Sequence, residues 1–218
     1  RLKDRFRVIV FDRPGLGYTE RIDPRGASIR QQAELLSRAA AELGAERPIV
    51  FGHSYGGAVA LAWAVHRPGA LSALVLSSAA SNPWDTGLGT YYSVISHPLG
   101  QRVVIPLITA WVPERVVHAQ IDGVFAPQAP PAGYHDHIGA GLTLRRMSMR
   151  ANALHRANLL EEIRAQVPRY ADIGVPVEIV HGDADDTVPL QVHSEPLSRQ
   201  IPGANLTVLD DIGHMPHQ

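Results

Sequence analysis

The sequence predicts an α/β fold with a mostly parallel sheet, helices on both faces, and a helical segment inserted after the strand at 71–77. Three observations predict it. Short runs rich in Val, Ile and Leu alternate with stretches of helical periodicity. Those runs are almost wholly apolar, as in parallel sheets covered on both sides. The rhythm breaks after Ser81 and resumes at Val175.

The elements follow in order. Phe6-Arg7-Val8-Ile9-Val10-Phe11 reads as a buried strand, closed by the turn-forming Asp12-Arg13-Pro14-Gly15-Leu16-Gly17. From Ser28, the apolar residues Ile29, Ala33, Leu36, Ala40 and Leu43 recur at spacings of three and four. Ser28 and Gln31 are placed as a capping box and Gly44 as the stop, making this the best-specified helix. Arg47 to Phe51 is a strand that runs directly into Gly52-His53-Ser54-Tyr55-Gly56-Gly57, and a helix follows through Val65 and ends before Pro68-Gly69. Leu71 to Ser77 is the next strand.

Residues 82–168 contain no strand pattern, with helical stretches near 100–124 and 140–166. This predicts two units: a core of 1–81 and 169–218, and a helical lid of 82–168. Trp84, Tyr91, Tyr92, Trp111, Phe125 and Tyr134 would suit a lid over an apolar pocket, or would hold the insertion together. The core resumes with a strand at Val175 to Val180. A helical segment interrupted by Pro196 follows over about 190–200, and Asn205 to Leu209 is the last strand.

The 218 residues suffice for one core with an inserted subdomain. Hydrophobic residues make up 45% and charged residues 19%, which fits a packed globular chain. The net charge of −1 supplies no field for nucleic acid or an anionic bilayer, leaving small neutral molecules as the expected partners. No apolar run is long enough to cross a membrane as a helix, so stable insertion is not expected. Cysteine is absent, excluding disulfides, thiolate metal sites and a cysteine nucleophile, and leaning the expected compartment toward the cytosol. His135-Asp136-His137 has possible metal ligands but no companions at ligand spacing, so no metal is expected.

The chemistry centres on Ser54. A serine hydroxyl is a weak nucleophile and needs a base within hydrogen-bond reach and an exposed position. Gly52-x-Ser54-x-Gly56 between a strand and a helix supplies that position, with flanking glycines leaving room for the backbone. A carboxylate after a later strand and a histidine after the last one complete the constellation, and Asp185 and His214 occur in that order. His53, His181 and His217 adjoin these motifs as supporting residues. His53, with Trp84 and Val188, is also a candidate substrate contact.

These motifs resemble the α/β-hydrolase superfamily, in its serine-nucleophile, esterase- and lipase-like branch with a helical cap. The resemblance rests on Asp12 to Gly17, Gly52 to Gly57, Gly182 to Pro189 and Gly213 to His217, four ordered matches. Its acid-loop pattern selects Asp185, with Asp186 the alternative and Asp183 a turn residue. It implies that Ser54 attacks an acyl carbon, His214 acts as base, Asp185 orients it, and the Tyr55 backbone N–H is one oxyanion donor, with no cofactor. The second donor normally comes from a histidine-glycine loop further upstream, so the expectation is that roughly 50 residues, carrying that loop and the first strands, precede Arg1. The implied activity is hydrolysis of carboxylic esters through an acyl-enzyme. Carbon–carbon hydrolases and cofactor-free perhydrolases use the same three residues, and a non-catalytic binding protein on this scaffold is a further alternative.

Overall fold

A computed structural model describes residues 2–218. Four parallel strands form one sheet: β1 (Ile49–His53), β2 (Ala73–Ser77), β3 (Val177–Gly182) and β4 (Asn205–Leu209), in that spatial order. Helix α1 (Ile29–Glu42) begins where the sequence places it. The Ser28 side chain accepts from the Gln31 N–H, the Gln31 side chain returns the bond to the Ser28 N–H, and Gly44 takes φ +79° just past the end. Helix α2 (Tyr55–His66) starts directly after β1 and Ser54. It is apolar all round, as a helix must be when it is wedged between a sheet and a second helix.

The register sets Val50, Leu74 and Val177 side by side on one face, and Leu76 beside Ile179. There they form the main core with Leu61, Trp63, Tyr170 and Leu197. Ile49 and Phe51 point to the opposite face and remain 53% and 54% exposed. The α/β fold with a parallel sheet is as the sequence predicts. The second helical layer is not found among the described residues. What lies on that face is the C-terminal tail, with the His217 ring edge-on to Phe51 at 5.8 Å.

The run at 6–11 is also not a strand. It carries no regular secondary structure, Val10 is 87% exposed, and only Ile9 and Phe11 turn inward, Phe11 reaching the core. A strand requires a ladder partner as well as a β-branched pattern, and β1, an edge of the sheet, pairs only with β2.

Between β2 and β3 the chain is helical: α3 (Thr90–Ser96), α4 (Pro98–Arg102), α5 (Val104–Trp111), α6 (Glu114–Phe125), two single turns, α7 (Tyr134–His137) and α8 (Ala140–Thr143), and the long α9 (Arg146–Gln166). A small cluster of Ile95, Ile105, Met149 and Ala153 holds this segment together. The second half of α9 belongs elsewhere, since Leu159 and Ile163 sit in the main core. Helix α9 is thus shared between the inserted helices and the sheet layer. Of the aromatics in this segment, Phe125 is buried with Tyr134 edge-on at 4.8 Å, while Trp111 is 75% exposed. The last helix, α10 (Ser194–Gln200), carries Pro196 in its first turn, where a missing N–H breaks no helical bond. No helix among the described residues is long and apolar enough to cross a membrane.

Candidate active site

Ser54 stands between β1 and α2 with φ +52° and ψ −121°, a region few non-glycine residues occupy and one that costs about 1–3 kcal/mol. The turn is held from below. The Ser54 N–H donates to Ser77 O at 3.1 Å, and Ser54 O accepts from Gly57 and Ala80 at 3.0 and 3.1 Å. These bonds tie the turn to the end of β2 and leave the hydroxyl projecting.

The glycines of this turn are not equivalent. A Cβ on Gly52 would stand 2.7 Å from the Ala60 Cβ and 2.8 Å from the Gly57 Cα, and one on Gly57 would meet Ala79 at 2.8 Å from its Cα. A Cβ on Gly56 would meet nothing within 4 Å. The crowding expected at Gly52 and Gly56 therefore falls at Gly52 and Gly57. Gly52→Ala and Gly57→Ala are each expected to lower unfolding free energy by about 1–3 kcal/mol. Gly56→Ala, in the first turn of α2, is expected to be neutral or stabilising by up to about 1 kcal/mol. Urea unfolding of the three variants checks this, and a Gly56→Ala loss equal to the others would contradict it.

The three residues singled out in the sequence converge. The Ser54 hydroxyl donates to His214 Nε2 at 2.9 Å, and His214 Nδ1 donates to Asp185 Oδ2 at 2.8 Å. His214 and Asp185 are both buried. The other Asp185 oxygen accepts the N–H groups of Thr187 and Val188 at 2.9 and 2.8 Å, which fixes the carboxylate plane. Burial pushes the Asp185 pKa up, but hydrogen bonds from His181 and His214 and the Val188 N–H outweigh it and hold the carboxyl well below the usual carboxylate range. Asp186 is exposed, and Asp183 caps the adjoining loop by accepting the Asp211 N–H at 2.8 Å.

Tyr55 occupies the first helical position, where a backbone N–H has no intrahelical acceptor and points out of the helix start. Its side chain faces the other way: Gln32 donates to the phenol oxygen at 3.2 Å and the Arg13 guanidinium stands 4.3 Å from the ring centroid. Arg13 also donates to Gln32 Oε1 at 3.0 Å. The Asp12–Gly17 loop thereby braces the residue next to Ser54. The second donor expected from an upstream loop falls outside the described residues.

The candidate substrate contacts occupy three different settings. The Val188 side chain is buried and its carbonyl accepts from His181 Nε2 at 2.8 Å, so both backbone groups of Val188 serve the acid loop. His53 Nε2 donates to the His214 carbonyl at 2.7 Å, and its ring packs 4.7 Å from that of His214. It positions the histidine loop. Burial lowers its pKa to about 4, so it does so as a neutral ring. Trp84 is half-buried, and its ring lies 6.1 Å from that of His193.

His181 and His217 support the site as expected, His181 between Ser194 and Val188, and His217 accepting from Ser77 Oγ at 3.1 Å. Two supports were not legible in the sequence. His193 Nδ1 accepts the N–H groups of Ser81 and Asn82 at 3.2 and 3.1 Å, stapling the loop after β2. Gln128 Oε1, from the helical segment, accepts the Gly213 N–H at 2.8 Å. Neither residue sits in a motif, and only the fold brings them near. His135 pairs with Asp122 at 2.8 Å and stacks on His118.

The chain is 38% identical over 90 residues to a putative carbamate hydrolase of Cronobacter turicensis, covering 41% of this chain and 32% of that protein. It is 30% identical over 144 residues to a monoacylglycerol lipase of Mycolicibacterium smegmatis, covering 65% of this chain and 45% of that one. The matches thus span less than half the length of these relatives. A thermophilic esterase from Thermogutta terrifontis superposes with a TM-score of 0.70 at 23% identity, over 99% of this chain and 75% of its own. The model of the alpha/beta hydrolase family matches residues 1–218, and the chain belongs to that family.

Proposed function

We propose that this chain hydrolyses carboxylic esters with Ser54 as nucleophile, His214 as general base and acid, and Asp185 as the group that orients His214. The observation that carries the proposal is the unbroken relay from Ser54 Oγ through both His214 nitrogens to the Asp185 carboxylate. With Nδ1 donating to Asp185, the proton of a neutral imidazole is on Nδ1, and the Nε2 lone pair is free for the serine proton.

Attack of Ser54 Oγ on the acyl carbon passes its proton to His214 Nε2 and places negative charge on the carbonyl oxygen. The Tyr55 N–H at the start of α2 is positioned to share that charge. Asp185 stabilises the imidazolium. The tetrahedral adduct collapses as His214 protonates the departing alkoxide, giving alcohol and an acyl-serine. Water then loses a proton to His214, attacks the acyl carbon, and releases the acid and a regenerated Ser54. Residues 82–168 are read as the cap over this site, with α9 as its hinge to the core.

The test is a fluorophosphonate probe followed by peptide mapping, beside nitrophenyl esters of rising chain length. Expected are a single adduct on the Ser54 peptide and ester turnover with a chain-length optimum. Labelling without turnover of any ester would move the reading to carbon–carbon cleavage, and no labelling would sink a serine nucleophile. Asp185→Asn, which leaves the site sterically intact but no longer fixes the imidazole tautomer, is expected to lower kcat by about 10⁴-fold in the same assay.

A further inference from the structure

Arg156 lies on α9 with its guanidinium carbon 4.7 Å from the Trp84 ring centroid and 5.9 Å from that of Tyr92. Other arginines around the inserted helices give their donors to the protein: Arg13 to Gln32, Arg145 to Gly17 O, Arg150 to Gln101 O and Arg169 to Val65 O. Arg156 is half-buried, yet among the described residues it has no hydrogen-bond acceptor and no carboxylate in ion-pair range, only the two ring faces. A guanidinium presents five N–H donors in a fixed plane, a shape that matches a carboxylate in two parallel bonds. Holding it partly out of water without an anion is unfavourable, and burial lowers its pKa from the ordinary arginine value.

Its position ties it to the site. Trp84 connects it to His193, which staples the loop after β2. The neighbouring α9 residue, His155, packs its ring 6.0 Å from the Tyr55 ring. The cation therefore stands one residue along α9 from the contact with the Tyr55 ring, between one aromatic wall from the loop after β2 and another from α3.

We propose that Arg156 receives a carboxylate of the substrate, so that the preferred esters are anionic, carrying a free carboxylate on the acyl or the alcohol part. Trp84 and Tyr92 flank the subsite. This rests on the ester-hydrolase reading and departs from the small neutral partner that the overall charge leads one to expect.

Binding of monomethyl glutarate and of methyl butyrate to the Ser54→Ala chain, followed by calorimetry, tests the proposal without any turnover. The expected result is at least a tenfold preference for the glutarate monoester, reduced to near parity by Arg156→Gln and partly kept by Arg156→Lys, which retains the charge and loses the fork. Equal affinities in the parent chain, or a preference that survives Arg156→Gln, would overturn it. Should the glutamine variant not fold, the unmodified chain decides: monomethyl glutarate must slow fluorophosphonate labelling of Ser54 more than methyl butyrate at equal concentration, and equal protection refutes the subsite. Because the binding arm needs no catalysis, absence of ester turnover beside a selective Arg156 would count against the ester reading alone.

Discussion

Ser54→Ala is expected to lower kcat on any ester the chain turns over by about 10⁶-fold while leaving the fold intact. The size follows from how the relay is wired. Among the described residues His214 Nε2 accepts from Ser54 and from no other donor, so removing the hydroxyl removes both the nucleophile and the proton that the base is poised to take. The three groups act as a unit, and their effects should not add. Ser54→Ala/His214→Ala is expected to be no slower than Ser54→Ala alone, within about threefold. Folding should not suffer, because the backbone bonds of the turn, to Ser77, Gly57 and Ala80, do not involve the hydroxyl. Stability should even rise slightly for Ser54→Gly, which relieves the strain of φ +52°. Progress curves at high enzyme concentration, with urea midpoints as the folding control, provide the measurement. A Ser54→Ala chain retaining more than about 1% of the parent rate would remove the serine from the mechanism.

The division between what the sequence disclosed and what it did not is physical. Elements whose determinants are local were legible: the Ser28 and Gln31 capping box, the strand that runs into Ser54, and the last strand at 205–209. So was the trio of Ser54, Asp185 and His214, because each occupies a loop at the carboxyl end of a strand and parallel strands bring those ends together. Properties that need a distant partner were not legible. The run at 6–11 has a strand's composition and no ladder to join. The helices cover one face of the sheet, although the apolar strands β1 and β2 suit cover on both. Gly56 belongs to the motif and is sterically free, whereas the crowding beside α2 falls on Gly57 against Ala79, a contact across 22 residues. Arg156 carries no signal in the sequence, because its ring partners Trp84 and Tyr92 come from distant parts of the chain.

Acid is expected to destabilise this chain from about pH 6.5 downward, before its carboxylates protonate. His53, His155 and His193 have pKa values lowered to about 4, in each case mainly by burial. For His155 the nearby charges of Arg13 and Arg21 add to it, and its Nδ1 is buried with no partner among the described residues. Unfolded, each imidazole binds a proton near 6.5. Between about 6.5 and 4 the unfolded chain therefore holds more protons than the folded one, and stability falls as pH drops through that window. The full effect is roughly 3 kcal/mol per histidine, and three together rival the roughly 5–15 kcal/mol that holds a domain folded. Asp185 acts at lower pH: its depressed folded pKa gives stability present above about 4 and lost as pH falls further. Urea midpoints should be flat above pH 7 and decline steeply from pH 6.5 to 4.5. His155→Leu, which removes the orphaned Nδ1 and one titrating group, should be at least as stable as the parent at pH 7 and more stable by about 1–2 kcal/mol at pH 5. A midpoint unchanged between pH 7.5 and 4.5 would mean that these rings are hydrated and free to charge in the folded state, and that the network around the candidate site is looser than its geometry.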